Sequence, residues 1–356
     1  MTLAVFVPNW VGDAVMATPA LRAIRRKFPQ DHIVGILRPN IAPVFTGLRY
    51  FDELWQYNNA ASEVLAPTGL IRKMRMAGID TCLLFTNSFG TALLSWLGRA
   101  RRRIGYARDG RSFFLTMSLQ PPRSDGKLIP FPMVDYYLKL AYALGCPVEL
   151  PALELQTESI DEQLSDRVWH DAGIPPGATV VTCNSSGAYG VAKLWPDEYF
   201  RSLAHRVADE CGAHVLFLCG PDERTRMRNL VQSAAHPRIA SLAPYEPSIG
   251  LSKACVRRSN LLVSTDSGPR HFGAAFSVPV IALFGPTHMA WSDTHYEREL
   301  RLQQELDCCP CQERVCPLKH HKCMRDLTVD TVFQAVRTML TSNPGEATGK
   351  TIGYSQ

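Results

Sequence analysis

Short apolar segments alternate with amphipathic segments along most of the chain. Most of the apolar segments are rich in β-branched and aromatic residues, as buried strands are. The predicted strands cover residues 3–7, 32–37, 51–55, 81–86, 103–106, 180–184, 214–219, 239–242, 260–265 and 279–284. Apolar residues at helical spacing lie between or after them, at residues 14–27, 68–77, 132–144, 196–211 and 249–256. This alternation predicts βαβ units and parallel sheets.

The alternation runs through the chain twice, so we predict an α/β protein with two doubly wound domains. An extended, proline-punctuated segment at residues 146–151 separates the two series. We assign residues 1–150 to the first domain, residues 151–340 to the second, and residues 341–356 to a disordered tail. A chain of 356 residues is long enough for two domains with full cores.

A polar turn follows the apolar segment 260–265 and precedes a short predicted helix; its sequence is Asp266-Ser267-Gly268-Pro269-Arg270-His271. In open α/β sheets such a turn lies at the carboxyl end of a strand, where ligands bind. Gly268 allows backbone N–H groups to approach a ligand closely, and a helix N-terminus favours an anion. By spacing alone, the turn fits an ordinary helix N-cap as well as a phosphate or diphosphate site.

The chain carries three motifs in order. They are Asn9-Trp10-Val11-Gly12-Asp13-Ala14-Val15-Met16 with Thr18-Pro19-Ala20-Leu21, then Lys193-Leu194-Trp195-Pro196, then Asp266-Ser267-Gly268-Pro269 with His271. Together they resemble the motifs of the ADP-heptose:lipopolysaccharide heptosyltransferases, which form glycosyltransferase family 9. The Trp-Val-Gly-Asp form is more similar to the heptosyltransferase II branch than to branch I. Arg270 departs from the family pattern, which is apolar at this position. The resemblance runs from the first strand to about Val332.

The resemblance implies the GT-B fold, in which two Rossmann-like doubly wound domains face a cleft. It also implies an inverting transfer of heptose from ADP-L-glycero-β-D-manno-heptose onto the inner-core heptose of lipopolysaccharide. Two alternatives stay open: a related glycosyltransferase with another sugar or acceptor, and a non-catalytic homologue that binds nucleotide sugars. The carboxylate of Asp13 argues against the second alternative.

Glycosyl transfer needs a base for the acceptor hydroxyl and stabilisation of the departing diphosphate. Asp13 is the candidate base, and its alternative role is the N-cap of the first helix. Lys193 would pair with the diphosphate, although a lysine considered alone is more often a surface residue. The remaining donor-binding candidates are Asp266, Ser267, Gly268 and His271 around the phosphates, the hydroxyls of Ser185 and Ser186, and Glu223 near the sugar or ribose.

The absence of two motifs limits the kinds of reaction that the sequence predicts. The sequence contains no Asp-x-Asp, so a metal ion bridging the diphosphate is not indicated, and we expect catalysis without a cofactor. Neither series of strands has Gly-x-Gly-x-x-Gly after its first strand, which argues against a nicotinamide enzyme.

Six arginines crowd residues 99–111: Arg99, Arg101, Arg102, Arg103, Arg108 and Arg111. Such a run is compatible with a solvated helix end and loop. The alternative is a patch for an anionic acceptor or a membrane face, for which Arg101, Arg102 and Arg103 are the candidates. Interleaved aromatic residues are lacking, so nucleic acid is not the expected partner.

Composition is that of an ordinary globular protein, with 46% hydrophobic and 20% charged residues and a net charge of +5. The opening residues lack a secretion-signal pattern, and no apolar run approaches the roughly 20 residues that span a bilayer. We therefore expect a cytoplasmic protein that contacts the inner membrane peripherally.

The chain contains 11 cysteines, and five of them crowd one stretch: Cys308, Cys309, Cys311, Cys316 and Cys323. Cys308 and Cys311 have the spacing of half a zinc knuckle, and Cys316 with either Cys323 or His320 could complete a closed structural site. The loop between the halves is much shorter than in ordinary zinc fingers. A disulfide, disfavoured in a reducing compartment, and free thiols are the alternatives.

Overall fold

The computed structural model describes residues 1–58, 66–187, 189–341 and 351–354. The chain forms two compact units: Met1–Gln156 with Ala290–Thr294, and Thr157–Met289 with His295–Gln356. The predicted boundary after residue 150 is close to the observed boundary after Gln156, but Ala290–Thr294 belongs to the first unit. Two 3₁₀ turns of the first unit, Pro39–Val44 and Ser112–Phe114, lie in connections.

The first unit is built on a parallel sheet of six strands: β1 (Thr2–Phe6), β2 (His32–Leu37), β3 (Glu53–Gln56), β4 (Thr81–Leu84), β5 (Arg102–Tyr106) and β6 (Met117–Leu119). Their order is β3-β2-β1-β4-β5-β6. A small antiparallel pair follows, β7 (Arg123–Ser124) and β8 (Lys127–Leu128). The chain reverses direction across the sheet between β1 and β4, and a doubly wound sheet binds ligands at this point.

Five helices accompany this sheet: α1 (Val11–Met16), α2 (Thr18–Lys27), α3 (Pro67–Ala77), α4 (Phe89–Leu97) and α5 (Met133–Ala143). The single helix predicted for residues 14–27 is two helices, because Pro19 cannot donate a backbone hydrogen bond to Val15. The Thr18 hydroxyl instead donates to the Val15 carbonyl at 2.7 Å. This break fixes the short helix α1, which carries Asp13.

The second unit repeats the plan with seven parallel strands: β9 (Val180–Asn184), β10 (His214–Phe217), β11 (Ile239–Ser241), β12 (Leu261–Thr265), β13 (Val280–Phe284), β14 (Glu299–Gln304) and β15 (Thr351–Tyr354). Their order is β11-β10-β9-β12-β13-β14-β15, so the reversal lies between β9 and β12. The doubly wound α/β prediction is therefore confirmed. The apolar residues of β9, β12 and β13 are fully buried, as expected of central parallel strands.

Seven helices accompany the second sheet: α6 (Ser159–Asp171), α7 (Asp197–Glu210), α8 (Arg224–Ala234), α9 (Ile249–Arg257), α10 (Arg270–Ala275), α11 (Lys322–Arg325) and α12 (Val329–Thr341). The 3₁₀ turns in this half of the chain are Val191–Lys193, Pro221–Glu223 and Met289–Ser292. Among the helices of the described ranges, none combines the length and the apolar character required to cross a membrane.

Several strands depart from the predictions. The short strands β6, β7 and β8 were not predicted. β14 was not predicted, because charged and amide residues interrupt its apolar positions. The tail predicted to be disordered contributes β15, which corrects that prediction for residues 351–354. The reason is that β14 would otherwise present an unpaired row of backbone groups, which β15 pairs in parallel register.

Candidate functional site

The loops after β9 and β12 are joined by hydrogen bonds at the carboxyl ends of these neighbouring strands. The Asn184 amide donates to the hydroxyls of Ser264, at 2.9 Å, and Ser267, at 2.6 Å. The Thr265 hydroxyl donates to the Ser186 carbonyl at 2.6 Å. The turn that begins at Asp266 is therefore held in place at the reversal point of the sheet, where ligand sites occur.

Lys193 and Asp266, predicted as separate donor-binding residues, form a direct ion pair. The Lys193 Nζ atom lies 2.7 Å from Asp266 Oδ2 and 2.9 Å from the Asp266 carbonyl oxygen. The Thr287 hydroxyl donates to the same Oδ2 atom at 2.7 Å. Both charged side chains are about nine-tenths buried, with exposures of 10% and 9%. Sequence reasoning missed Thr287, whose only signal is its position just after β13.

The Lys-x-Trp-Pro motif explains how Lys193 reaches this position. Trp195 is fully buried, its indole N–H donates to the Leu327 carbonyl at 2.8 Å, and its ring packs edge-on against Phe200. Lys193 ends the 3₁₀ turn Val191–Lys193 just before this anchor. The tryptophan therefore fixes the backbone from which the lysine side chain extends.

Arg270, the departure from the family pattern, is fully buried and pairs with Glu299, the first residue of β14. Arg270 Nε and Nη2 each lie 2.7 Å from one oxygen of the Glu299 carboxylate. A third bond runs from Arg270 Nη1 to Asp266 Oδ1 at 3.1 Å. Arg301 Nε also donates to Glu299, at 2.7 Å. The arginine is compatible with the turn because β14 supplies a carboxylate for it.

These charges keep both buried carboxylates ionised. Burial alone would raise the pKa of Asp266, but the charges of Lys193 and Arg270 outweigh it and hold that pKa well below its usual range. Burial would also raise the pKa of Glu299, and Arg270 and Arg301 lower it below its ordinary value. Burial would lower the pKa of Arg270, yet Glu299 and Asp266 raise it.

His271 lies in the first turn of α10 with an exposure of only 3%. Burial, together with the neighbouring charge of Arg270, lowers the pKa of its imidazole to about 3. The ring is therefore neutral at physiological pH, and a neutral imidazole offers one N–H donor rather than a positive charge. Any contribution of His271 to an anion site would be a hydrogen bond.

Two of the other predicted donor-binding side chains, Ser185 and Glu223, have partners within the second unit. The buried Ser185 hydroxyl points toward Met227 Sδ at 3.8 Å. The Glu223 carboxylate accepts the Gly220 N–H at 3.0 Å, which closes the turn after β10. Ligand contacts by Ser185, Ser186 and Glu223 stay predictions.

In the first unit, Asp13 lies in the first turn of α1, just after the carboxyl end of β1. The N-cap of this helix is Trp10, so the alternative role of Asp13 as the N-cap is wrong. The hydroxyl of Tyr137, on α5, donates to Asp13 Oδ1 at 3.3 Å. The carboxylate is thus held by a hydroxyl donor at the reversal point of the first sheet.

Tyr137 lies in the helix predicted for residues 132–144, and its ring stacks on Phe85 with 5.2 Å between centroids. Burial, followed by the charge of Asp13, raises the pKa of its hydroxyl well above the ordinary value. The hydroxyl therefore stays protonated and acts as a donor. Helical spacing identifies a buried tyrosine but does not indicate where its hydroxyl points.

The predicted acceptor arginines do not lie at the edge of the sheet that carries Asp13. Arg102 opens β5 and pairs in register with Thr81, the first residue of β4, so Arg101 and Arg102 lie at the amino-terminal edge. The guanidinium of Arg103 donates to the carbonyls of Ala100 and Phe114. An acceptor role for these three arginines stays a prediction that the strand polarity does not favour.

Two other arginines of the run do lie at the carboxyl-terminal edge. Arg111 is fully buried and donates to the carbonyls of Thr86 and Tyr106 and to the Asn87 side chain. Arg108 follows the end of β5 and is partly exposed. Arg111 therefore fixes the loops after β4 and β5, while Arg108 is accessible beside them.

Five cysteines line one small cavity in the second unit: Cys308, Cys309, Cys311, Cys316 and Cys323. The rest of the lining is formed by Ala192, Pro286, Pro317, Leu318 and His320. All cysteines are free thiols. Across the described residues, however, no three His, Cys, Asp or Glu side chains are arranged to hold a metal ion. A closed cysteine site needs Zn–S distances near 2.3 Å, so the thiols would have to move together to bind zinc.

Comparison with known proteins shows that the chain is similar to one protein family. Residues 68–322 match the family described as glycosyltransferase family 9 (heptosyltransferase). A relative from Campylobacter jejuni, lipooligosaccharide heptosyltransferase 2, is 23% identical over 353 residues, covering 96% of this chain and 100% of the relative.

Two solved structures have similar folds. The ADP-heptose LPS heptosyltransferase II of E. coli superposes with a TM-score of 0.77 at 20% identity, covering 96% of this chain and 98% of the other. A glycosyltransferase of family 9 from Veillonella parvula superposes with a TM-score of 0.82 at 21% identity, covering 95% and 96%.

Metal analysis tests the predicted zinc site at Cys308, Cys311, Cys316 and Cys323. The prediction requires one zinc ion per chain in protein purified without chelator, lost in the variant Cys311→Ser/Cys316→Ser. Cys146→Ser, in the other unit, is the control and should retain the metal. Substoichiometric zinc and iron, with every thiol titratable after denaturation, would leave free thiols as the explanation.

Proposed function

The chain belongs to glycosyltransferase family 9, the heptosyltransferases, and on this premise we propose that it transfers heptose from ADP-L-glycero-β-D-manno-heptose onto the inner-core heptose of lipopolysaccharide with inversion. Its two doubly wound units form the GT-B fold. The observation that supports the proposal most directly is the pair of Lys193 and Asp266 at the reversal point of the second sheet.

In the proposed reaction the donor diphosphate binds beside Lys193 and the turn that begins at Asp266. Around this turn, three cationic side chains, Lys193, Arg270 and Arg301, accompany two carboxylates, Asp266 and Glu299. Two of these cations, Lys193 and Arg270, lie against Asp266, and their positive charge favours an anionic ligand beside the turn. The same charge would stabilise the ADP that leaves as the sugar–phosphate bond breaks.

Asp13 is the proposed general base. As the acceptor oxygen forms its bond to the anomeric carbon, the hydroxyl proton passes to the Asp13 carboxylate. The Tyr137 hydroxyl, 3.3 Å from Oδ1, would hold the carboxylate in one orientation. No proton needs to reach the departing diphosphate, because ADP leaves as a stabilised anion.

For the acceptor we propose Arg108 as an anion contact, because it lies at the same edge of the first sheet as Asp13. An arginine guanidinium suits phosphate and carboxylate groups, both of which it can bind bidentately. We also propose peripheral contact with the cytoplasmic face of the inner membrane, for which the net charge of +5 is favourable.

Asp13→Asn should lower turnover about 100- to 10,000-fold, the usual cost of losing a general base. The amide oxygen can still accept the Tyr137 hydrogen bond, so the fold and ADP binding should be retained. ADP release in the presence of ADP-heptose and acceptor measures turnover, and calorimetry measures ADP affinity. Wild-type turnover in this variant would remove Asp13 from the mechanism.

Lys193→Met should weaken ADP binding by about 1.5–3 kcal/mol, because it removes a charged hydrogen bond while keeping the apolar stem. Lys127→Met, at an exposed lysine of β8, is the matched control and should bind ADP as the wild type does. Chelator should leave activity intact. Full ADP affinity in Lys193→Met by calorimetry would contradict the donor-site proposal.

Arg108→Ala should raise the acceptor KM and leave the donor KM unchanged. Arg101→Ala is the matched control, because Arg101 belongs to the same run but lies at the opposite edge, with a side chain 84% exposed. Steady-state kinetics with both substrates varied would separate the effects. If Arg101→Ala raises the acceptor KM and Arg108→Ala does not, the original assignment to residues 101–103 is the better one.

A further inference from the structure

Asp266 poses an electrostatic problem for a site that receives a diphosphate. Its carboxylate is nine-tenths buried and lies 2.7 Å from the only lysine of the Lys-x-Trp-Pro motif. A buried ion pair between one lysine and one carboxylate is electrically neutral, and it would offer little attraction to an anion. Lys193 can serve a phosphate only if Asp266 has a second source of positive charge.

Arg270 is that second source. Its Nη1 atom lies 3.1 Å from Asp266 Oδ1, the carboxylate oxygen opposite to the one that Lys193 contacts. We propose that Arg270 is a positioning residue for the donor diphosphate: by neutralising Asp266, it allows Lys193 to direct its charge to a phosphate oxygen. This inference rests on the proposed function, since it assigns a role within the same donor site.

Glu299 keeps Arg270 in place for this task. The two 2.7 Å bonds from Nε and Nη2 form a fork that fixes the plane of the guanidinium and turns Nη1 toward Asp266. The Arg270 guanidinium also lies over the Phe284 ring, 4.8 Å from its centroid. A lysine could supply the charge but not this geometry.

Arg301 prevents the negative charge of Glu299 from cancelling the positive charge that Arg270 supplies to Asp266. It donates to Glu299 Oε2 at 2.7 Å, so the second carboxylate is also shared between two cations. The order Lys193–Asp266–Arg270–Glu299–Arg301 therefore alternates in sign. Lys193 is the end that lies beside the predicted phosphate turn.

The test measures ADP affinity of the full-length chain by calorimetry, with thermal unfolding measured in parallel. Arg270→Met/Glu299→Met replaces the buried pair by apolar side chains of similar volume, a change that is often tolerated in stability. We expect ADP to bind about tenfold more weakly, close to the effect of losing one charged hydrogen bond. Arg206→Met/Glu210→Met removes a surface pair on α7 and should leave affinity unchanged.

A rescue separates the electrostatic role from a merely structural one. Asp266→Asn added to Arg270→Met/Glu299→Met removes the carboxylate that holds Lys193, so ADP affinity should return toward the wild-type value. A pair that only stabilised the fold would give no such recovery. Arg270→Lys and Arg270→Gln, each alone, provide a second comparison if the double variant does not fold: the lysine should retain more ADP affinity than the glutamine.

The outcomes distinguish this inference from the proposed function. If Lys193→Met binds ADP as the wild type does, the donor site is misplaced and the role of Arg270 is overturned with it. If Lys193→Met is weakened while the folded Arg270→Met/Glu299→Met variant binds normally, or Asp266→Asn gives no recovery, only the role of Arg270 is overturned. The role of Arg270 is also overturned if Arg270→Lys binds ADP no more tightly than Arg270→Gln.

Discussion

The geometry of the second unit's site depends on one buried carboxylate, that of Asp266. Removing a charge from water is costly, so this group must be surrounded by donors. Lys193, Arg270 and Thr287 provide them from three different loops. The need to satisfy one acceptor therefore brings together the loops that follow β9, β12 and β13. In the first unit, the contact between Tyr137 and Asp13 similarly joins α5 to α1.

The alternation of apolar and amphipathic segments was sufficient to predict two doubly wound sheets, because central parallel strands are apolar on both faces. β14 is not a central strand, and its polar residues include Glu299. It therefore lacks the continuous apolar sequence by which the other strands were predicted. The motifs identified Lys193, Asp266 and Asp13 but not their partners. Arg270 and Glu299 are 29 positions apart, and no periodicity links a turn residue to the start of a distant strand.

Strand polarity is a constraint that sequence clustering does not convey. Arginines 101 to 111 are neighbours in sequence, yet β5 separates them into groups at opposite edges of the sheet. In a parallel sheet only the carboxyl-terminal edge holds ligand sites of this type. When a run of like charges includes a strand, the residues before and after that strand lie at opposite edges of the sheet. Their roles must therefore be assigned separately.

The cysteine-rich segment packs directly against the backbone that carries the site. The Ala192 N–H donates to the Arg314 carbonyl at 3.1 Å, and the Gln312 N–H donates to the Pro286 carbonyl at 2.7 Å. A Cβ atom at Gly190 would clash with the Arg314 carbonyl oxygen, so the two segments are in close backbone contact at this position. Alkylating or oxidising these thiols would thus displace the neighbours of Lys193 and Thr287. Nucleotide-affinity measurements should accordingly be made on freshly reduced protein, and maleimide labelling of this segment should be avoided.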